Sequence, residues 1–159
     1  MSSHLRHLVR RFFAALRARR LGPAEQAEVA RLLRPAETRL FWRQAPTDQR
    51  HGLQCARLIA DRAPTRPDLA RAALLHDVGK ATVRLGAAAR VLASGLSLLH
   101  LPAPGRLGDY LAHGPRGADE LAAAGAEPLV VAYARHHHAA RPSAVTTDDW
   151  GLLAAADRA

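Results

Sequence analysis

The chain has 159 residues, 48% of them hydrophobic but only 4% aromatic, and a formal net charge of +9. That length predicts one domain with a real core, and the shortage of aromatic and β-branched runs leaves little for a sheet, so an Ala, Leu and Val core of closely packed helices is expected. A single cysteine, Cys55, excludes an internal disulfide and fits a reducing cytoplasm; no apolar run reaches the roughly 18 to 20 residues of a bilayer span, and the arginine-interrupted N-terminus does not read as a signal peptide.

Almost all of the positive charge is arginine, and Lys80 is the only lysine. Such a balance favours anionic partners: phosphorylated metabolites, nucleic acid or an acidic membrane surface. Arginine standing in for lysine along the whole chain gives the same excess without any partner. A compact ammonium differs from a planar guanidinium, which singles out Lys80.

Residues 3–20 read as a basic amphipathic helix, with Leu5, Leu8, Val9, Phe12, Phe13 and Leu16 at spacings of three and four. Its apolar stripe predicts packing on the domain, and its arginines offer weak electrostatic contact with nucleic acid or an anionic membrane. Gly22-Pro23 ends it and opens a helix over 24–33, and Pro35 separates that from a short helix carrying Leu40, Phe41 and Trp42. Thr47 is expected to cap a helix running to Asp61, with His51, Cys55, Leu58 and Ile59 on one face. Arg66-Pro67-Asp68 opens the next, with Leu69, Ala72, Ala73 and His76 on one stripe and an end near Gly79. An apolar helix over 86–100 follows, then a loop over 101–108. A short helix over 106–112 is expected to end at His113-Gly114-Pro115, and another to run over 116–124. Glu127-Pro128 opens a helix reaching His138, and Thr147 is expected to cap the last, which holds Asp157. The fold class is all-α. Residues 1–34 read as accessory helices and 35–159 as the functional domain.

The chemistry centres on Leu74-Leu75-His76-Asp77-Val78-Gly79-Lys80. A hard or borderline divalent metal wants imidazole nitrogen and carboxylate oxygen, and His51, His76, Asp77 and Asp157 supply both. Adjacent residues on a helix diverge by about 100°, but at a helix terminus both can converge on an ion off the end. Asp77 has two oxygens and can bridge two ions, with His113 and His137 completing the second site. Among His136, His137 and His138, His137 is chosen because it follows Val130 and Ala134 on the buried face. His4, His7 and His100 have no carboxylate company and are assigned no role. Each histidine alone also reads as a core-edge or solvated side chain; the ordered set carries the argument. Two such ions suit phosphoester hydrolysis, with Lys80, Arg84, Arg116 and Arg141 as candidate holders of phosphate oxygens.

The set Asp48-Gln49-Arg50-His51, Leu74 through Lys80, His113-Gly114-Pro115-Arg116-Gly117, Val130 through His138 and Ala154-Ala155-Ala156-Asp157 resembles the HD-domain superfamily of metal-dependent phosphohydrolases. It looks like the six-ligand dinuclear subset, which includes HD-type diadenosine tetraphosphate hydrolases. It is similar to the HD-GYP phosphodiesterases but lacks Gly-Tyr-Pro, because Ala139-Ala140-Arg141-Pro142 follows the histidine run. The resemblance covers residues 45–159. It implies a metal-bound hydroxide attacking phosphorus of a nucleotide or similar small phosphorylated substrate, catalytic roles for Asp77 and Lys80, and iron or manganese ahead of magnesium, cobalt, nickel or zinc. Two other functions fit the same residues: a nucleotide-sensing regulatory protein without turnover, and an HD-type di-iron oxygenase.

Overall fold

The computed structural model describes residues 19–83, 85–99 and 101–159. The expected helix over 3–20 lies outside them but for Arg19 and Arg20, which are not helical; Arg84 and His100 also lie outside. Nine α-helices and one 3-10 helix are described, and no strand among the described residues. They are α1 (Pro23–Leu32), α2 (Pro35–Trp42), α3 (Pro46–Arg62), α4 (Pro67–Leu75), the 3-10 helix Val78–Thr82, α5 (Ala87–Leu98), α6 (Arg106–Leu111), α7 (His113–Ala123), α8 (Pro128–His136) and α9 (Thr147–Asp157).

Five of these helices begin on proline, whose fixed φ suits the first turn and whose missing N–H needs no partner there. This displaces the expected Thr47 cap: α3 starts at Pro46 after Ala45, with no side-chain cap. In α9 the cap is Thr146, one residue earlier than expected, and its hydroxyl accepts from the Asp149 N–H at 3.1 Å. The expected stop at His113-Gly114-Pro115 is instead the start of α7. Proline breaks a helix only where it removes an internal hydrogen bond, and Pro115 sits in the first turn, where none is made.

α4 is the central helix. Leu69, Ala70, Ala72, Ala73, Leu74 and Leu75 are all buried, so it is apolar on most sides, with Arg71 as its polar exception. It packs against α3 and α8, while α7 packs on α8 and on the 3-10 helix, and α9 on α3 and α4. The main core joins Leu21, Val29, Phe41, Leu53, Ile59, Leu121, Tyr133 and Leu153 to it. Each buried leucine or phenylalanine contributes about 1.5–3 kcal/mol. Val83, Ala93 and Tyr110 form a smaller separate cluster under α5 and α6. No described helix is long and apolar enough to cross a membrane.

Three backbone approaches bring the polar centre together, and each passes through a glycine. A Cβ on Gly52 would lie 2.6 Å from the Leu74 carbonyl oxygen, so α3 touches the backbone of α4 just before His76. A Cβ on Gly79 would collide with the His113 carbonyl oxygen and lie 2.7 Å from the Gly117 nitrogen, which seats the 3-10 helix on the start of α7. A Cβ on Gly114 would lie 2.9 Å from the Ala134 carbonyl oxygen, which seats α7 on the end of α8. The expected helix end near Gly79 falls earlier, at Leu75, and among the described glycines only Gly105 and Gly125 have positive φ; the role of Gly79 is close approach.

Gly79→Ala is expected to destabilise the protein by about 3 kcal/mol, because both obstructing groups are backbone. Gly151→Ala, on the exposed side of α9 with nothing within 4 Å of a new Cβ, is expected to stabilise it by about 0.5–1 kcal/mol. Urea midpoints of the two variants check the contrast; a tolerated alanine at 79 would mean that the approach is not a constraint.

Candidate metal centre

The structure brings His51, His76, Asp77, His113, His137 and Asp157 to one place. Only His51 comes from the body of a helix, α3. His76 follows the last residue of α4, His113 is the first of α7, His137 follows α8, and Asp157 is the last of α9. Asp77 has φ −98° and ψ 5°, the bridge region that converts the end of α4 into the 3-10 helix. That turn lets two successive side chains face the same point.

Three of the histidines are oriented by the same local contact. His76 Nδ1 lies 2.8 Å from the Ala73 carbonyl oxygen, His113 Nδ1 2.8 Å from that of Tyr110, and His137 Nδ1 2.9 Å from that of Ala134. A carbonyl only accepts, so Nδ1 is the donor in each, and each Nε2 presents a lone pair inward. Those lone pairs meet other acceptors. His113 Nε2 is 3.0 Å from Asp77 Oδ1 and 3.1 Å from His137 Nε2, which is itself 3.5 Å from Asp77 Oδ1. His76 Nε2 is 3.5 Å from Asp77 Oδ2 and 3.2 Å from Asp157 Oδ1, and His51 Nε2 is 3.1 Å from the same Asp157 oxygen. His76 Nε2 and Asp77 Oδ1 are fully buried without a hydrogen-bond partner. An orphaned buried acceptor costs about 1–3 kcal/mol, and acceptors facing acceptors are the donor set of a cation.

The ligand atoms fall into two overlapping groups, His51, His76 and Asp77 in one and Asp77, His113, His137 and His138 in the other, each within 4.8 Å. Asp77 belongs to both. Asp157 joins the first through its contacts with His51 and His76. His138 is the addition that helix phase does not give: α8 ends at His136, so the next two residues lie in a turn rather than 100° apart on a helix.

Neighbouring charges set the ionisation of the two carboxylates. Burial alone raises the Asp77 carboxyl, but Lys80 and His76 outweigh it and hold it well below the usual carboxylate range. Lys80 Nζ lies 2.5 Å from Asp77 Oδ2 and is itself buried; burial lowers its pKa and Asp77 more than restores it. Burial likewise raises Asp157, and the adjoining His51 and His76 bring it down. Burial lowers His137.

Other expected residues are placed elsewhere. Arg116 pairs with Asp109 at 2.5 Å, and Arg141 Nη1 donates to the Val145 carbonyl at 2.5 Å. Neither has a hydrogen bond or ion pair to the cluster among the described residues. Two neighbours were not among the expected site residues. Cys55 Sγ sits 3.7 Å from His51 Nε2 and 3.3 Å from the Ala156 carbonyl oxygen, and burial pushes its thiol up to about 11, so it stays a protonated donor. The Tyr133 ring packs 5.9 Å from the His76 ring and 6.0 Å from that of His137, with its hydroxyl buried and unpartnered.

Asp77 and Asp157 have folded-state pKa values below that of a free aspartate. Their contribution to stability is therefore complete above about pH 4 and is lost as pH falls through the folded values. The metal-free protein is expected to show a steep acid limb below pH 4 in thermal denaturation, and Asp157→Asn to flatten it. An unchanged limb in that variant would mean Asp157 is not held ionised by His51 and His76.

The HD domain family matches residues 50–159, more than half of the chain and the whole span that carries the cluster. Neither curated proteins nor solved structures give a significant match. The chain belongs to the HD-domain family, a superfamily of metal-dependent phosphohydrolases.

Proposed function

We propose that the chain hydrolyses a phosphoester or phosphoanhydride bond of a nucleotide or similar small molecule at a dinuclear metal centre. His51, His76, Asp77 and Asp157 would hold one ion and His113 and His137 the other, with Asp77 shared. One observation carries the reading: two buried acceptors, His76 Nε2 and Asp77 Oδ1, lie at the junction of two ligand groups with no donor to satisfy them. Imidazole and carboxylate without thiolate suit iron or manganese, with magnesium, cobalt, nickel or zinc compatible. When bound, such ions activate water and neutralise phosphate oxygens.

The residues of the chain have separable tasks. The three Nδ1-to-carbonyl contacts fix the imidazoles so that binding needs no reorientation. Asp77 carries the charge that both ions share. Lys80, locked to Asp77 Oδ2 by a 2.5 Å contact, keeps that carboxylate ionised and directs its remaining N–H groups at a phosphate oxygen. Arg116 and Arg141 are engaged by Asp109 and Val145, which leaves them secondary to Lys80 in holding substrate.

Protein purified without chelator is expected to carry two equivalents of transition metal per chain. Asp77→Ala is expected to lose both, with helical circular dichroism retained; His113→Ala and His137→Ala are expected to keep one. Elemental analysis of the four proteins reads this directly. Metal-free wild type, or full occupancy in Asp77→Ala, overturns the assignment, and unchanged stoichiometry in both histidine variants reduces it to a mononuclear site. Diadenosine tetraphosphate and nucleoside triphosphates are the first substrates to assay on the loaded protein.

A further inference from the structure

Arg90 is not among the arginines that the sequence singles out, yet the fold holds its guanidinium through three contacts. It comes from α5, which packs mainly against α6 and leaves Leu92 exposed. Three contacts set its guanidinium. Nε donates to the Leu85 carbonyl at 3.1 Å, Nη1 donates to Asp48 Oδ2 at 2.7 Å, and the group lies over Tyr110, 5.5 Å from the ring centroid. The Tyr110 ring is in turn 6.0 Å from that of His113, whose Nδ1 the Tyr110 carbonyl holds. One aromatic ring therefore separates Arg90 from the cluster. The Asp48 charge bears on Lys80, and the Asp77 charge on Arg90, so both cations belong to one polar neighbourhood.

The pair with Asp48 engages one nitrogen only. Nη2 has no protein partner among the described residues, and the side chain is 18% exposed. A guanidinium carries five donors in a rigid fork matched to phosphate. Here the fork is oriented and balanced by one carboxylate, and no described residue engages its Nη2 arm.

We propose that Arg90 determines substrate specificity by binding a phosphate group other than the one cleaved at the cluster. The site then favours phosphoanhydride chains, such as nucleoside polyphosphates or dinucleoside oligophosphates, over phosphomonoesters. This rests on the phosphohydrolase reading above. The competing role is purely mechanical: Arg90 fastens α5 to α3 through Asp48.

Calorimetric titration of the manganese-loaded full-length chain with inorganic tripolyphosphate and with inorganic phosphate separates the two. Wild type is expected to bind tripolyphosphate at least about tenfold more tightly than phosphate, the scale of a charge-assisted hydrogen bond. Arg90→Ala is expected to lose about tenfold on tripolyphosphate and less than about twofold on phosphate. Arg90→Gln, which keeps donors for Asp48 and Leu85, gives the same reading should the alanine variant unfold. Asp48→Asn cuts the tie to α3 but keeps the cation, and is expected to retain or strengthen tripolyphosphate binding. Equal losses in Asp48→Asn and the Arg90 variants, or equal losses on both anions, overturn the proposal. A wild type that takes up manganese without preferring tripolyphosphate overturns it while leaving the metal reading intact; a wild type that takes up no manganese removes both.

Discussion

A carboxylate buried at the centre of a helical bundle has to be balanced, and the balance around Asp77 governs the rest of this structure. One oxygen meets the only lysine of the chain; the other meets two imidazole nitrogens whose protons are committed elsewhere. Breaking such an arrangement by removing one member leaves an uncompensated buried charge at about 3–5 kcal/mol. The arrangement is therefore sensitive to small displacements, and the fold restrains them with backbone rather than with long side chains.

That restraint explains a composition poor in aromatics. Alanine and glycine let helix axes approach until backbones touch, as at Gly52 against Leu74 and Gly79 against His113. Large side chains at those crossings would hold α3, the 3-10 helix and α7 apart and pull the ligands out of reach. The aromatic residues that do occur near the centre, Tyr110 and Tyr133, pack against imidazole rings. Proline at the start of five helices performs the complementary task, setting where each helix begins without a capping side chain.

Much of the architecture is legible in the sequence because it rests on local rules. Periodic apolar residues and proline boundaries locate most helices, and the order of His51, His76-Asp77, His113, the histidine run and Asp157 marks the cluster before any coordinates. What escapes is what depends on contact between distant segments. Pro115 looks like a stop until α7 is seen to begin two residues before it. Gly79 looks like a helix terminator until the start of α7 is seen lying against it. His138 is hidden because periodicity says nothing beyond a helix end. Arg90 is hidden because its partners, Asp48 and Tyr110, come from two other helices. Arg116 and Arg141 show the converse: basic charge near a motif in sequence is spent on local acceptors in space.

The repeated Nδ1-to-carbonyl contact has a consequence for how the centre tolerates change. His76, His113 and His137 each take their direction from a carbonyl three residues earlier in their own segment. Aim is thus encoded locally, whereas spacing is encoded by the helix crossings. A substitution at a crossing changes the spacing of the imidazoles and leaves in place the local contacts that aim them. Drift in the packing of α3, α4, α7 and α8 would then alter the distances among the three imidazoles while each keeps the direction its own carbonyl sets.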